Sequence, residues 1–122
     1  MLPAYAELHC LSNFSFLRGA SHPEELVDRA IELGYAALAL TDEGSLAGVV
    51  RAHLQARNAK LSLLVGVSFA LDGDDGPSRL ILIARNRNGY GNLSERVTRC
   101  RRRAAKGHYR LERSDLDAGL AD

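Results

Sequence analysis

Only two cysteines occur in 122 residues, Cys10 and Cys100, and no CxxC motif or Cys/His cluster accompanies them. A disulfide framework and a zinc module of ordinary spacing are thereby excluded. No apolar run approaches the roughly 20 residues needed to cross a bilayer. The N-terminus lacks the basic start and apolar core of a secretion signal. These absences make a cytoplasmic location, with no membrane partner, the expectation. Nucleotide-binding loops are missing too: Gly89-Tyr-Gly-Asn92 has neither the spacing nor the Lys-Ser/Thr pair, and reads as the approach to a helix. No aromatics interleave with the basic residues near the C-terminus, so no base-stacking platform is marked there. Internal repeats and low-complexity linkers are also lacking.

What is present is an ordinary globular composition, 46% apolar and 25% charged, in a length sufficient for one modest core. The net charge of +1 hides an asymmetry. Residues 1–78 carry 5 basic and 10 acidic side chains, residues 79–113 carry 11 basic and 2 acidic, and the last nine residues are acidic again. Such polarity suits a polyanion, or acidic neighbours elsewhere in a longer polypeptide. The basic segment comprises Arg96, Arg99, Arg101, Arg102, Arg103 and Lys106, and without aromatic partners it implies nonspecific phosphate contact at most.

Strand and helix signals alternate. Residues 4–10 read as a short strand. Ser21-His-Pro-Glu24 reads as a capping box with Ser21 as N-cap, followed by a stripe of Leu26, Val27, Ala30 and Ile31 that Gly34 ends. Tyr35–Thr41 is a continuous apolar run suited to a strand covered on both faces. A second helix is predicted with Leu46, Val49, Val50, His53 and Leu54 on one stripe. Residues 62–71 form a strand, 72–77 a turn, and 79–85 a returning strand. Asn92 and Glu95 are expected to cap a third helix that buries Leu93, Val97, Cys100 and Ala104, with Gly107 at its end. The last fifteen residues read as polar and frayed, or as a junction. This order predicts an α/β fold with a mainly parallel sheet and crossover helices. In such sheets chemistry sits at the C-terminal edge of the strands, where His9, Asp42 with Glu43, and Ser68 fall.

Four segments carry a resemblance. They are Ala6-Glu-Leu-His-Cys-Leu-Ser-Asn-Phe-Ser-Phe-Leu-Arg-Gly-Ala-Ser-His-Pro-Glu-Glu-Leu-Val, Ala39-Leu-Thr-Asp-Glu-Gly-Ser-Leu-Ala-Gly-Val-Val-Arg-Ala-His, and Gly89-Tyr-Gly-Asn-Leu-Ser-Glu with Arg101-Arg-Arg-Ala-Ala-Lys-Gly. Together they resemble the start of a polymerase-and-histidinol-phosphatase (PHP) domain, of the kind found in error-prone bacterial polymerases of the polymerase III alpha-subunit type. The resemblance implies the first half of a distorted PHP-type (β/α)7 barrel over residues 1–113, with 114–122 as a polar tail or junction. It also implies the remaining domains of a parent DNA polymerase as partners, and a role in replication or in repair synthesis past damage. No polymerase acids are in this stretch, so the chain by itself is not expected to be catalytic.

Metal-binding members of that family carry His-x-His, Thr-Asp-His-Gly and Gly-x-Glu at their strand ends. Here Leu11 stands at the second histidine, Glu43 at the third and Ser68 at the glutamate, while Arg18 stands where relatives place an aspartate. His9, Asp42 and Glu43 are therefore the vestigial metal ligands, and no cofactor is expected. Were one held, it would be zinc, manganese or magnesium. The alternatives are a remnant phosphoesterase or 3'-5' exonuclease built on those three residues, and a nucleic-acid-binding module built on Arg99, Arg101, Arg102, Arg103 and Lys106. Half a barrel also leaves open strand edges, which predicts self-association of the isolated chain.

Overall fold

The computed structural model describes residues 3–117 and 120. Its elements run β1 (Ala6–Cys10), α1 (Pro23–Glu32), β2 (Ala37–Leu40), α2 (Val49–Ala56), β3 (Ser62–Gly73), β4 (Gly76–Ile83), α3 (Arg87–Arg102) and α4 (Ser114–Asp117). The sheet order is β1-β2-β3-β4. β2 pairs in parallel with both β1 and β3, and β4 returns antiparallel to β3. This is a mixed α/β, curled half-barrel: the alternating pattern predicted the α/β order with crossover helices, and the family resemblance implied the half-barrel.

β2 is the axis of the first layer. Leu38, Ala39 and Leu40 are all buried, as an apolar run covered on both faces requires. Val27 and Ala30 of α1 and Ala52 and Ala56 of α2 close over Leu38, Leu40 and Leu61. The second layer gathers Val67 and Phe69 of β3, Leu93 and Cys100 of α3, and Leu111. β3 joins the two: Ser62–Val65 pair with β2, and Gly66–Gly73 pair with β4. Gly66 sits at the change of partner, where a Cβ would lie 2.5 Å from the Leu82 carbonyl oxygen and 2.9 Å from Thr41 Cγ2. Only glycine lets the two strands approach so closely there.

Several boundaries differ from the sequence reading, each for a local reason. Pro23 takes the first helical position, where a missing N–H costs nothing, so His22 and not Ser21 is the N-cap of α1. Glu25 accordingly reaches back to the His22 N–H at 3.2 Å. Glu24 is freed to pair with Arg51, and Gln55 donates to Asp28 at 2.7 Å, so polar contacts clamp α1 to α2. α2 is rotated relative to the expected stripe: Val49, Ala52 and Ala56 are buried, whereas Val50, His53 and Leu54 face outward. Two alanines allow a closer approach to α1 than the larger side chains would.

α3 starts earlier than expected because Asn86 caps it, its side chain accepting the Gly89 N–H at 2.9 Å. Gly89-Tyr-Gly-Asn92 is thus inside the helix, not before it. The β3–β4 turn is tighter than the predicted cluster, with Gly73 paired to Gly76. The segment after Gly107 is not frayed over its described residues. Arg110 N–H donates to the Cys100 carbonyl at 3.0 Å, Leu111 is buried, and Ser114–Asp117 form a short helix.

Candidate functional site

The C-terminal ends of β1 and β2 are stitched together before any acidic group is reached. Thr41 N–H donates to the Cys10 carbonyl at 2.8 Å, and the Cys10 N–H donates to Thr41 Oγ1 at 3.1 Å. β2 then delivers Asp42, whose side chain is almost wholly buried. Its Oδ1 accepts from Ser12 N–H and Ser15 Oγ, and its Oδ2 accepts from Ser12 Oγ, each at 2.7 Å. The serines are then spoken for in turn: Ser12 Oγ accepts the Phe14 N–H, and Ser15 Oγ accepts the Glu43 N–H at 3.0 Å. The loop between β1 and α1 is folded around one carboxylate. Close packing makes this possible, since a Cβ on Gly19 would lie 2.1 Å from the Ser12 carbonyl oxygen.

Glu43 turns the other way, toward β3 and the segment after α3. Glu43 and Ser68 form an isolated parallel bridge, with Ser68 N–H donating to Asp42 O at 3.1 Å and Gly44 N–H donating to Ser68 O at 2.9 Å. Glu43 Oε1 accepts the Tyr109 hydroxyl at 2.7 Å, and the same hydroxyl accepts the Ala70 N–H at 2.7 Å. Glu43 Oε2 is paired with Arg18, and Arg79 stands 3.7 Å from Oε1. Burial alone would raise the Glu43 pKa, but the Tyr109 hydroxyl and the Arg18 and Arg79 guanidinium groups together hold it below the ordinary glutamate value. Tyr109 is shifted upward by burial and by Glu43. Arg101 completes the arrangement, donating to Gly44 O at 3.1 Å with its guanidinium 5.4 Å from the Tyr109 ring centroid.

The three candidate ligands are therefore not brought together as a donor set. His9 is exposed on the edge strand β1, and its ring has no partner among the described residues. Asp42 bonds to serines and not to His9, and Glu43 is committed to Arg18 and Tyr109. Ser68 is fully buried with its Oγ unpaired. Among the described residues no group of three or more His, Cys, Asp or Glu could hold a metal ion. A divalent cation needs free carboxylate or imidazole lone pairs, and these residues do not fit one. Cys10 is no nucleophile candidate either, its thiol being pushed up to about 11 by burial, with Glu7 and Asp42 adding to it.

The five basic candidates part company in the same way. Arg101 is spent on Gly44 and Tyr109. Arg103 makes a bidentate pair with Asp115 at 2.6 and 2.9 Å, and Arg99 pairs with Glu95 one turn away. Arg102 and Lys106 have no ion pair among the described residues. Sequence reasoning missed Ser12, Ser15, Arg79 and Tyr109. The Ser-x-x-Ser spacing after β1 was visible, but nothing local marked it as a cradle for Asp42. Tyr109, an aromatic in a polar stretch, was the one available sign that the tail folds back.

Residues 7–120 match the PHP domain family, and the chain belongs to it. It is 64% identical over its whole length to the error-prone DNA polymerase of Bordetella parapertussis and 63% identical over 96% of its length to that of Dechloromonas aromatica. It corresponds to the N-terminal PHP region of such polymerases. The chain spans 12% and 11% of the lengths of those two relatives. Among solved structures, a Bifidobacterium adolescentis protein described as a metal-dependent phosphoesterase shares the fold at a TM-score of 0.66 and 24% identity, over 82% of this chain and 34% of its own. An amidohydrolase from Chromobacterium violaceum, solved with sulfate bound, aligns at a TM-score of 0.65 and 26% identity, over 81% of this chain and 34% of its own.

Two outcomes follow from the geometry. Asp42→Ala leaves three donors without an acceptor, and a hydrogen bond to a charged group contributes about 1.5–3 kcal/mol. The variant is expected to lose about 3 kcal/mol or more in denaturant unfolding, and a loss below about 1 kcal/mol would show that the cradle is not structural. The second concerns acid stability. Arg103, by its hydrogen bonds, holds Asp115 down at about 2. A depressed carboxyl stabilises the fold above its ordinary value and loses that contribution as pH falls toward the folded value. Asp115→Asn should be less stable than the parent near pH 6, with the gap closing between about pH 4 and 2. A gap unchanged across that window contradicts the pairing.

Proposed function

We propose that the chain is a structural PHP module of an error-prone DNA polymerase, bracing the neighbouring domains of its parent polypeptide without catalysis of its own. Polymerisation, in synthesis past damaged DNA, belongs to other parts of that polypeptide. The observation that carries the reading is the commitment of Asp42 and Glu43 to Ser12, Ser15, Tyr109 and Arg18. Acids consumed by internal hydrogen bonds are not available for proton transfer or for an attacking water. A cytoplasmic location fits this role, and no helix among the described residues is long and apolar enough to cross a membrane. DNA is the less favoured direct partner, because Arg101 and Arg103 are held by Gly44, Tyr109 and Asp115, which leaves Arg102, Lys106 and the exposed Arg99.

The test is a hydrolysis assay on the purified chain, with a phosphomonoester, a phosphodiester and single-stranded DNA as substrates, in added manganese or zinc. No turnover above buffer is expected. Turnover abolished by His9→Ala would replace this reading with that of a residual phosphoesterase or exonuclease. The sheet also supports a statement about association. β1 and β4 are both edge strands, and Leu8, Val50 and Leu54 are about half exposed or more. Unpaired strand edges beside apolar surface recruit further strands or copies. In sedimentation velocity the isolated chain should grow in mean mass with concentration, and a single monomer boundary at all concentrations would refute this.

A further inference from the structure

We infer that Phe16 and Leu17 form an apolar knob that seats in a pocket of the same polypeptide, in the part beyond residue 122. The contact presupposes the bracing role proposed above and is one means by which that role acts. Phe16 is 84% exposed and Leu17 89%, more than any other large hydrophobic residue among those described. They stand side by side in the loop between β1 and α1. Leu17 has a φ of 63°, which makes it the one non-glycine residue in the left-handed region among the described residues. A leucine is disfavoured there, and such a backbone persists only where its surroundings impose it. Here they do. Ser15 N–H donates to Ser12 O, and the Arg18 and Gly19 N–H groups both donate to Ser15 O, each at 3.0 Å. The Ser12 and Ser15 hydroxyls are fixed on Asp42, and Arg18 is fixed on Glu43. At the base of the loop Phe14 lies over Gly48, where a Cβ would come within 3.1 Å of its ring.

Area decides what the knob meets. An aromatic side chain buries roughly 150–250 Å², so Phe16 and Leu17 together offer at most about half of the roughly 800 Å² per partner that holds two free proteins together. A tethered partner needs far less, because linkage supplies an effective concentration on the order of millimolar. The error-prone polymerases that this chain matches provide one, since it spans 12% and 11% of the lengths of two of them. Charge disfavours the other occupants. Residues 1–78, which include the knob, carry 5 basic and 10 acidic side chains, and that excess repels DNA and anionic lipid. A tip already fixed by hydrogen bonds also loses little freedom on docking. The Asp42 cradle therefore holds two apolar side chains in place for a pocket elsewhere in the polypeptide.

Leu17→Gly tells a docking knob from an ordinary surface loop by the sign of its effect. In the isolated chain it relieves the left-handed residue and removes an exposed side chain, so the thermal midpoint should hold or rise by up to about 4 °C. In the full-length polymerase carrying this chain it empties the pocket, and the half-life of primer extension on heating should shorten about threefold or more, with Phe16→Ser acting alike. A photo-crosslinking phenylalanine analogue at position 16 of the full-length protein, irradiated with primed DNA present, should join to residues beyond 122 of the same molecule. Asp42→Ala, which opens the loop, keeps this contact apart from the bracing role. If Asp42→Ala shortens the half-life while Leu17→Gly and Phe16→Ser do not, the knob is overturned and the brace stands. If none of the three shortens it, both are overturned. The knob is also overturned by a fall in the isolated chain's midpoint with Leu17→Gly, or by crosslinks that are absent or confined to DNA, to a second molecule or to residues 1–122.

Discussion

The buried carboxylate of Asp42 is the constraint on which the mouth of this half-barrel depends. Three short hydrogen bonds from Ser12 and Ser15 converge on it, and they determine where the chain runs between β1 and α1. A buried charge without partners would be costly, so the fold can keep Asp42 only by wrapping that loop around it. The loop in turn sets the start of α1 and places Arg18. One acidic residue after a strand therefore organises a segment that has no regular structure. It does so through the donors that its two oxygens accept.

The same logic applies to the other polar groups at the strand ends of this PHP-type scaffold. Strand ends in parallel sheets gather polar side chains because the backbone there turns away from the ladder. Those side chains must be satisfied by an ion, a ligand or each other. In this chain they satisfy each other: Asp42 with serines, Glu43 with Arg18 and Tyr109, Gly44 O with Arg101. Asp42 and Glu43, expected as vestigial ligands, sit in a hydrogen-bonded layer that leaves only the buried Ser68 Oγ beside them unpaired among these groups. That layer ties α3 and the following segment to β2 and β3.

Much of the architecture was legible in the chain, and the reasons are local. The apolar run before Thr41 could only be a strand covered on both faces, and Gly34 and Pro23 bracket α1 by backbone preference alone. Phase was less legible. α2 buries Ala52 and Ala56 in place of Val50, His53 and Leu54, because hydrophobicity by itself does not reveal where two helices need small residues to meet. The site divides likewise. Leu11, Glu43 and Ser68 were visible as departures from a ligand pattern, but the partners that Asp42 and Glu43 take instead lie 25 to 66 residues away in sequence. Tyr109 belongs to a segment whose composition resembles a loose tail, and only tertiary closure gives it a role.

The Glu43 network also carries a lesson about reversibility. Exchanging Glu43 for histidine would not restore an ion-binding mouth by itself. It would strip Tyr109 of its acceptor and leave Arg18 and Arg79 as unanswered positive charges beside an imidazole. Removing Arg18 first would strand the glutamate instead. Either change alone removes one side of the Arg18–Glu43 pair and leaves the other without it. The two positions are coupled in this way, because each sets the charge that the other must answer.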